Sequence, residues 1–249
     1  MIILKSPEEI QAMRAAGRVV AQAHEVVRDL IRPGLTTLDL DRAVEEFLTK
    51  QNAIPAFKGY QGYPASICAS VNEVVVHGIP SQDVVLQEGS IISVDIGAFV
   101  DGFCGDSAWT YPVGQIDSQT QLLLETTEKA LFEGIEQARI GNRLSDISHA
   151  VQMRAEEQGF SVVRDFVGHG IGRQMHEAPQ IPNFGPPGRG PRLKQGMTLA
   201  IEPMVNAGSY HVQILDDNWT VITRDNSWSA HFEHTIAISD EGPVVLTTL

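Results

Sequence analysis

The stretches GLTTLDL (residues 34–40) and LQEGSIISVD (residues 86–95) recur later in the chain as GNRLSDI (residues 141–147) and LKQGMTLAIE (residues 193–202). Gly34-x4-Asp39-Leu40 matches Gly141-x4-Asp146-Ile147, and Leu86-x2-Gly89-x5-Asp95 matches Leu193-x2-Gly196-x5-Glu202, each displaced by 107 residues. Ala43-Val44 and Ala150-Val151 share that displacement. A common offset across half the chain predicts two tandem copies of one helix-helix-strands unit. Neither copy would bury its apolar face alone. The expected assembly is therefore a single α+β domain over residues 1–249, with strands inside and helices outside. Its halves fall at roughly 1–113 and 114–249, with two-fold pseudosymmetry.

Each half opens on a helical pair. Ile10, Met13, Gly17, Val20, His24, Val27 and Ile31 recur at helical spacing, with Pro7 suited to the first turn. Pro33-Gly34 ends that helix, and Thr36 with Asp39 predicts a capping box for the next, which carries Leu40, Ala43, Val44, Phe47 and Leu48. Ser118 with Gln121 is the expected cap of a third helix bearing Leu122, Leu123, Ala130, Leu131, Ile135 and Ala138. Gly141 separates it from a fourth with Ile147, Ala150 and Val151, stopped by Gly159.

Five potential metal ligands, Asp95, Asp106, His169, Glu202 and Glu233, sit in apolar or glycine-rich settings. Asp95 and Glu202 each end an apolar run, where an unpaired carboxylate is costly. Four carboxylates and one imidazole suit two divalent cations, which would bring the site near neutrality. That pattern points to a two-metal hydrolase. Ile91 to Val113 reads as a hairpin turned at Asp101-Gly102. This register pairs Val100 with Phe103 and Gly97 with Asp106, leaving Asp95 and Asp106 on one face as diagonal neighbours, about 7–8 Å apart at the backbone.

The run Phe166-Val167-Gly168-His169-Gly170-Ile171-Gly172 presents a histidine among three glycines. It lacks dinucleotide-binding spacing, and Pro179, Pro182, Pro186 and Pro187 forbid the helix that such a motif needs. His176 is close enough to return to the same cleft. Residues 231–238 alternate as one strand, placing His231, Glu233 and Thr235 on a polar face where Glu233 reads by itself as a solvent-facing acid. His24, His149 and His211 read as surface or satisfied core residues, and His77 as a turn histidine.

The composition excludes several classes. The chain is 43% hydrophobic and 20% charged, with no apolar run long enough to span a bilayer. A formal charge of −13 argues against nonspecific nucleic-acid binding, DNA included. Cys68 and Cys104 form no disulfide framework, and no signal peptide is visible, so a cytoplasmic location is expected.

Taken together, His77-Gly78-Ile79-Pro80, Asp95-Ile96-Gly97, Asp106, Gly168-His169-Gly170-Ile171-Gly172, Ile201-Glu202-Pro203 and the run from Trp228 to Thr235 resemble the type I methionine aminopeptidases. The similarity runs from Ile2 to Glu233. It implies the pita-bread fold, built around a central antiparallel sheet, and excision of the initiator methionine from nascent chains whose second residue is small. It also implies that Asp95 holds one metal, that His169 and Glu202 hold the other, and that Asp106 and Glu233 bridge or share both. The two divalent ions would be manganese, iron, cobalt or zinc. Glu202 would shuttle protons, His176 would polarise the scissile carbonyl, and His77 would contact the substrate near the amide.

Tyr60, Tyr63, Cys68 and Trp219 match positions lining the family's methionine pocket, with Phe57 and Met175 at its wall. Met175 stands where relatives frequently carry an aromatic residue, and Phe57 and Lys58 where smaller or apolar residues are commoner. A monovalent cation is expected near Asn72, Val74 and Ser229. The implied partners are deformylated nascent N-termini close to the ribosome, for which the basic run Arg189 to Lys194 is a candidate contact; the chain is expected to be monomeric, bacterial-type and free of the membrane. The alternatives are an Xaa-Pro aminopeptidase or prolidase-like peptidase, whose members usually carry an extra N-terminal domain, and a metal-free binding module on the same fold.

Overall fold

The computed structural model describes all residues, 1–249. Four helices, α1 (Pro7–Leu30), α2 (Thr37–Lys50), α3 (Ser118–Glu136) and α4 (Leu144–Glu157), pack outside antiparallel sheets. Ser6 caps α1, with Pro7 at its first position, and Thr36 and Asp39 form the expected capping box of α2. The cap of α3 is Asp117, not Ser118. Its Oδ1 accepts from the amides of Gln119 and Thr120 at 2.8 and 2.9 Å, and its Oδ2 accepts from the Thr120 hydroxyl at 2.9 Å, a second acceptor that serine lacks.

The 107-residue repeat is physical. The helices α2 and α4 are both 14 residues long and begin and end at equivalent positions. The amide of Leu86 donates to Leu35 at 2.8 Å, and Leu193 donates to Asn142 at 2.9 Å. The bridge between Thr36 and Val85 recurs as Arg143 and Arg192. The strand Ile54–Pro55 pairs with Ile91–Val100, and its counterpart Ser161–Val162 pairs with Met204–Asn206 in the equivalent register. Each copy buries an apolar helix face against its own strands. Val20, Val27, Leu40 and Val44 meet Ile92, Val94 and Ile96 in one, while Leu131, Ile135, Ile147 and Val151 meet Leu199, Ile201 and Ile236 in the other.

The hairpin of Ile91–Val100 and Phe103–Pro112 has the expected register, Val100 opposite Phe103 and Gly97 opposite Asp106. Asp101 and Gly102 both take positive φ, 49° and 80°, as a two-residue type I′ loop requires. The helix α1 lies almost backbone-to-backbone on this hairpin: a Cβ on Gly105 would stand 2.8 Å from the amide nitrogen of Gly17.

The expected single strand over 231–238 does not form. Ser229–His231 pairs with Met204–Asn206, and His234–Ile238 pairs with Thr198–Ile201. The ladder breaks at Glu202-Pro203 on one side and Phe232-Glu233 on the other, because Pro203 has no amide to donate. The Phe232 amide still donates to the Pro203 carbonyl at 3.3 Å, while the Glu233 amide, on the other edge of its strand, donates to Ala108 at 2.8 Å, and the Ser107 and Thr110 hydroxyls donate to the carbonyls of Glu233 and His231 at 2.8 Å. This seam joins the hairpin to the second copy, and the acidic residues meet along it.

Candidate active site

Glu233 is 2% exposed, so it is not the solvent-facing acid that alternation alone suggests. It converges with Asp95, Asp106, Glu202 and His169 on one cavity. Asp106, His169 and Glu233 are buried, and each offers a ligand atom within 4.8 Å of the others. The Nε2 of His169 lies 3.5 Å from Glu202 Oε1 and 4.0 Å from Asp106 Oδ2. Its Nδ1 donates to the Gly170 carbonyl at 2.9 Å, which leaves Nε2 as a lone pair facing the acids. Burial lowers the His169 pKa to about 4, so the ring is neutral at pH 7.

The carboxylates are an electrostatic problem without a solution inside the protein. Burial, then the neighbouring Asp106 and Glu202, raises the Asp95 pKa well above the ordinary carboxylate range. Glu202 and Glu233 are raised by burial and by Asp106, and burial also raises Asp106. Asp95 Oδ1, Asp106 Oδ1 and Glu233 Oε1 are buried without a hydrogen-bond partner. Oxygen atoms so placed lack the compensation that burial demands. Divalent cations supply it, and the oxygen-rich donor set with one imidazole fits them.

The cavity extends beyond the acids to about 440 Å³. Phe57, Tyr60, Tyr63, Cys68, Met175 and Trp219 all line it, as do His77 and His176. The single proton of the Tyr63 hydroxyl is shared between the carbonyls of Ile67 and Gly78, at 3.1 and 3.0 Å, and its ring stands edge-on to Trp219. Cys68 pairs with Asp95 across the sheet, and burial with that neighbouring acid pushes its thiol pKa up. His77 adopts a φ of 60° and packs edge-on against Phe166 and Trp219; burial lowers its pKa to about 4. His176 stands at the rim, its ring 4.3 Å from that of His169, and its Nδ1 lies 2.9 Å from the Tyr60 hydroxyl. Partial burial lowers its pKa as well.

A domain model of the metallopeptidase family M24 matches residues 11–240. The chain belongs to family M24. Among its M24 relatives, methionine aminopeptidase 1 of Bacillus subtilis (strain 168) is 58% identical over 247 residues, covering 99% of each chain. The methionine aminopeptidase of Clostridium acetobutylicum is 54% identical with the same coverage. The solved structure of the Thermotoga maritima methionine aminopeptidase superposes with a TM-score of 0.98 at 49% identity, covering all of both chains. The Pyrococcus furiosus prolidase shares the fold, with a TM-score of 0.81 at 22% identity, over 99% of this chain and 66% of that one. These M24 neighbours establish the pita-bread fold that the motifs implied.

The spacing of motifs left one buried histidine beside Glu202 without a role. His231 is buried, its Nε2 has no hydrogen-bond partner, and it lies 3.9 Å from Glu202 Oε2. The repeat carries a signal for it: His231 sits opposite Met204 as Asp106 sits opposite Gly97, and Met204 is Gly97 displaced by 107 residues. Near the expected monovalent site, the Ser229 amide donates to the Asn72 carbonyl at 2.9 Å, which brings those two segments together.

Proposed function

We propose that this protein is a methionine aminopeptidase that removes the initiator methionine from nascent chains whose second residue is small. The observation that carries this reading is a cavity with an acidic floor and an aromatic wall, in a chain alike over its full length to methionine aminopeptidases. An unbranched thioether fits between aromatic edges and beside a buried thiol. Asp95, Asp106, His169, Glu202 and Glu233 would hold two divalent cations, of which manganese and iron suit the donor set, with zinc and cobalt as further candidates. The chemistry available from such cations is Lewis-acid polarisation and water activation at neutral pH.

The protein's own groups do the rest. Phe57, Tyr60, Tyr63, Cys68, Met175 and Trp219 seat the methionine side chain and exclude water from it. Neutral His77 lies along the same wall, where it can hold the substrate amide. If the Tyr60 hydroxyl donates to Nδ1 of His176, the His176 proton sits on Nε2, free to donate to the scissile carbonyl oxygen. A donor at a developing oxyanion is worth about 2.7–4 kcal/mol. Glu202, at the floor of the cavity, would carry the proton from attacking water to the departing amine.

The substrate is then a free N-terminus, met after deformylation and close to the ribosome, where exposed Arg189, Arg192 and Lys194 offer a local basic face. No helix is long and apolar enough to cross a membrane; a cytoplasmic, monomeric enzyme is part of the proposal. A monovalent cation near Asn72, Val74 and Ser229 remains part of the proposal. Comparison of Met-Ala-Ser with Met-Leu-Ser tests the size rule: the first should release methionine and the second should not. Equal release from both would refute the restriction to small second residues.

A further inference from the structure

Lys5 and Glu177 form an ion pair whose side chains are only 4% and 7% exposed. Such a pair is costly to bury unless its geometry does something else for the fold. Lys5 belongs to the extended segment before α1, pinned by its amide to the Gly196 carbonyl at 2.7 Å. Glu177 directly follows His176. Its Oε2 takes the Lys5 ammonium, while Oε1 accepts from the Gln174 amide at 3.2 Å. The Gly172 amide closes the same turn onto the Gln174 carbonyl at 3.0 Å. The pair fills the space beneath this turn: a Cβ on Gly172 would lie 2.7 Å from both Glu177 Oε1 and Lys5 Nζ.

We infer that Lys5 and Glu177 are positioning residues for His176, a buried ionic brace that fixes the turn from Gly172 to Glu177 while the Tyr60 hydroxyl holds the ring from the other side. The inference rests on the oxyanion role proposed for His176 above. The Glu177 carboxylate fixes the backbone on which the imidazole is mounted, and Lys5 provides the charge that lets that carboxylate stay buried. Glu177 borders the cavity, but its carboxylate is taken up by Lys5 and the Gln174 amide. Displacing a catalytic group by an ångström can cost about a hundredfold in rate.

Glu177→Gln keeps the size and removes the charge. On Met-Ala-Ser it is expected to lower kcat about 10–100-fold, with KM and bound metal near the wild-type values. Lys5→Met should do the same. On a His176→Ala background, Glu177→Gln should lower kcat by less than about twofold, since there is no imidazole left to position. An equal, additive loss on that background would overturn the inference, because it would mark the pair as a general structural tie. Unchanged kcat in Glu177→Gln would overturn it too. The imidazole nitrogen resonances of His176, assigned by their loss in His176→Ala, give a readout independent of the substrate. They are expected to shift or broaden in Glu177→Gln even if Met-Ala-Ser is not cleaved by the wild type, an outcome that would refute the proposed function alone. Resonances unmoved by Glu177→Gln would refute the brace itself.

Discussion

Glu202 lies directly opposite Glu233 at the point where two antiparallel strands stop pairing: Ile201 still faces His234 on one side of them, and Met204 faces His231 on the other. Two acids facing each other at an interrupted ladder would repel, and both have their pKa raised by burial with neighbouring acids. Glu233→Gln should remove one ligand and relieve that repulsion. The expected outcome is at least tenfold weaker metal binding, read by isothermal titration with manganese, together with an unchanged or higher melting temperature of the metal-free protein. Undiminished affinity would remove Glu233 from the ligand set.

Gly97 lies opposite Asp106, with no room for a side chain. A Cβ there would stand 3.0 Å from Ala56 Cβ and Phe57 Cε1, and 3.2 Å from Asp106 Oδ1. Gly97→Ala is therefore expected to push both the metal ligand and the pocket wall. Metal affinity should fall about 10–100-fold, as for loss of an outer-sphere partner, and the KM for methionyl peptides should rise. Wild-type values of both would show that the neighbours yield without consequence.

The hydrogen bond between Tyr60 and His176 links the methionine pocket to the residue proposed to polarise the carbonyl. Tyr60→Phe keeps the ring and removes the hydroxyl. One hydrogen bond is worth about 1 kcal/mol, so kcat should fall about fivefold with little change in KM. A rise in KM alone would restrict Tyr60 to the pocket wall.

His24 provides a pH prediction away from the site. It is buried between the Ser107 carbonyl and the Tyr111 hydroxyl, 2.9 Å from each, and burial lowers its pKa from 6.5 to about 4. Because the folded pKa is depressed, folding favours the neutral ring. That contribution is complete above about pH 6.5 and is lost as pH falls towards 4, on the order of 3 kcal/mol in all. His24→Gln should flatten the stability profile over this window in urea titrations. A slope equal to that of the wild type would assign the acid sensitivity to other groups.

The residues that could be read in advance are those whose constraints are local. The hairpin register followed from the two-residue turn at Asp101-Gly102, because a turn of fixed length leaves one pairing. The repeat was legible because Gly34, Gly89, Gly141 and Gly196 all need positive φ, so each half keeps them at the same spacing. What escaped depends on partners distant in sequence. Alternation grouped Glu233 with His231 and Thr235 on one face, but the hairpin at Asp106 and Ala108 packs against that segment and buries all three, which the strand itself does not reveal. The burial of Lys5 follows only from Glu177, which meets it from 172 residues away. The cap at Asp117 was misplaced by one residue since Ser118 is also a good capping type, and the choice rests on which oxygen reaches two amides.

The most direct measurement is peptidase activity of the metal-reconstituted protein on Met-Ala-Ser and Ala-Pro-Ser, each with and without a chelator. Methionine should be released from the first peptide, the second should stay intact, and the chelator should abolish the reaction. Cleavage before proline would instead place the protein with the Xaa-Pro peptidases, and no cleavage of either peptide with metal bound would contradict the enzymatic account altogether.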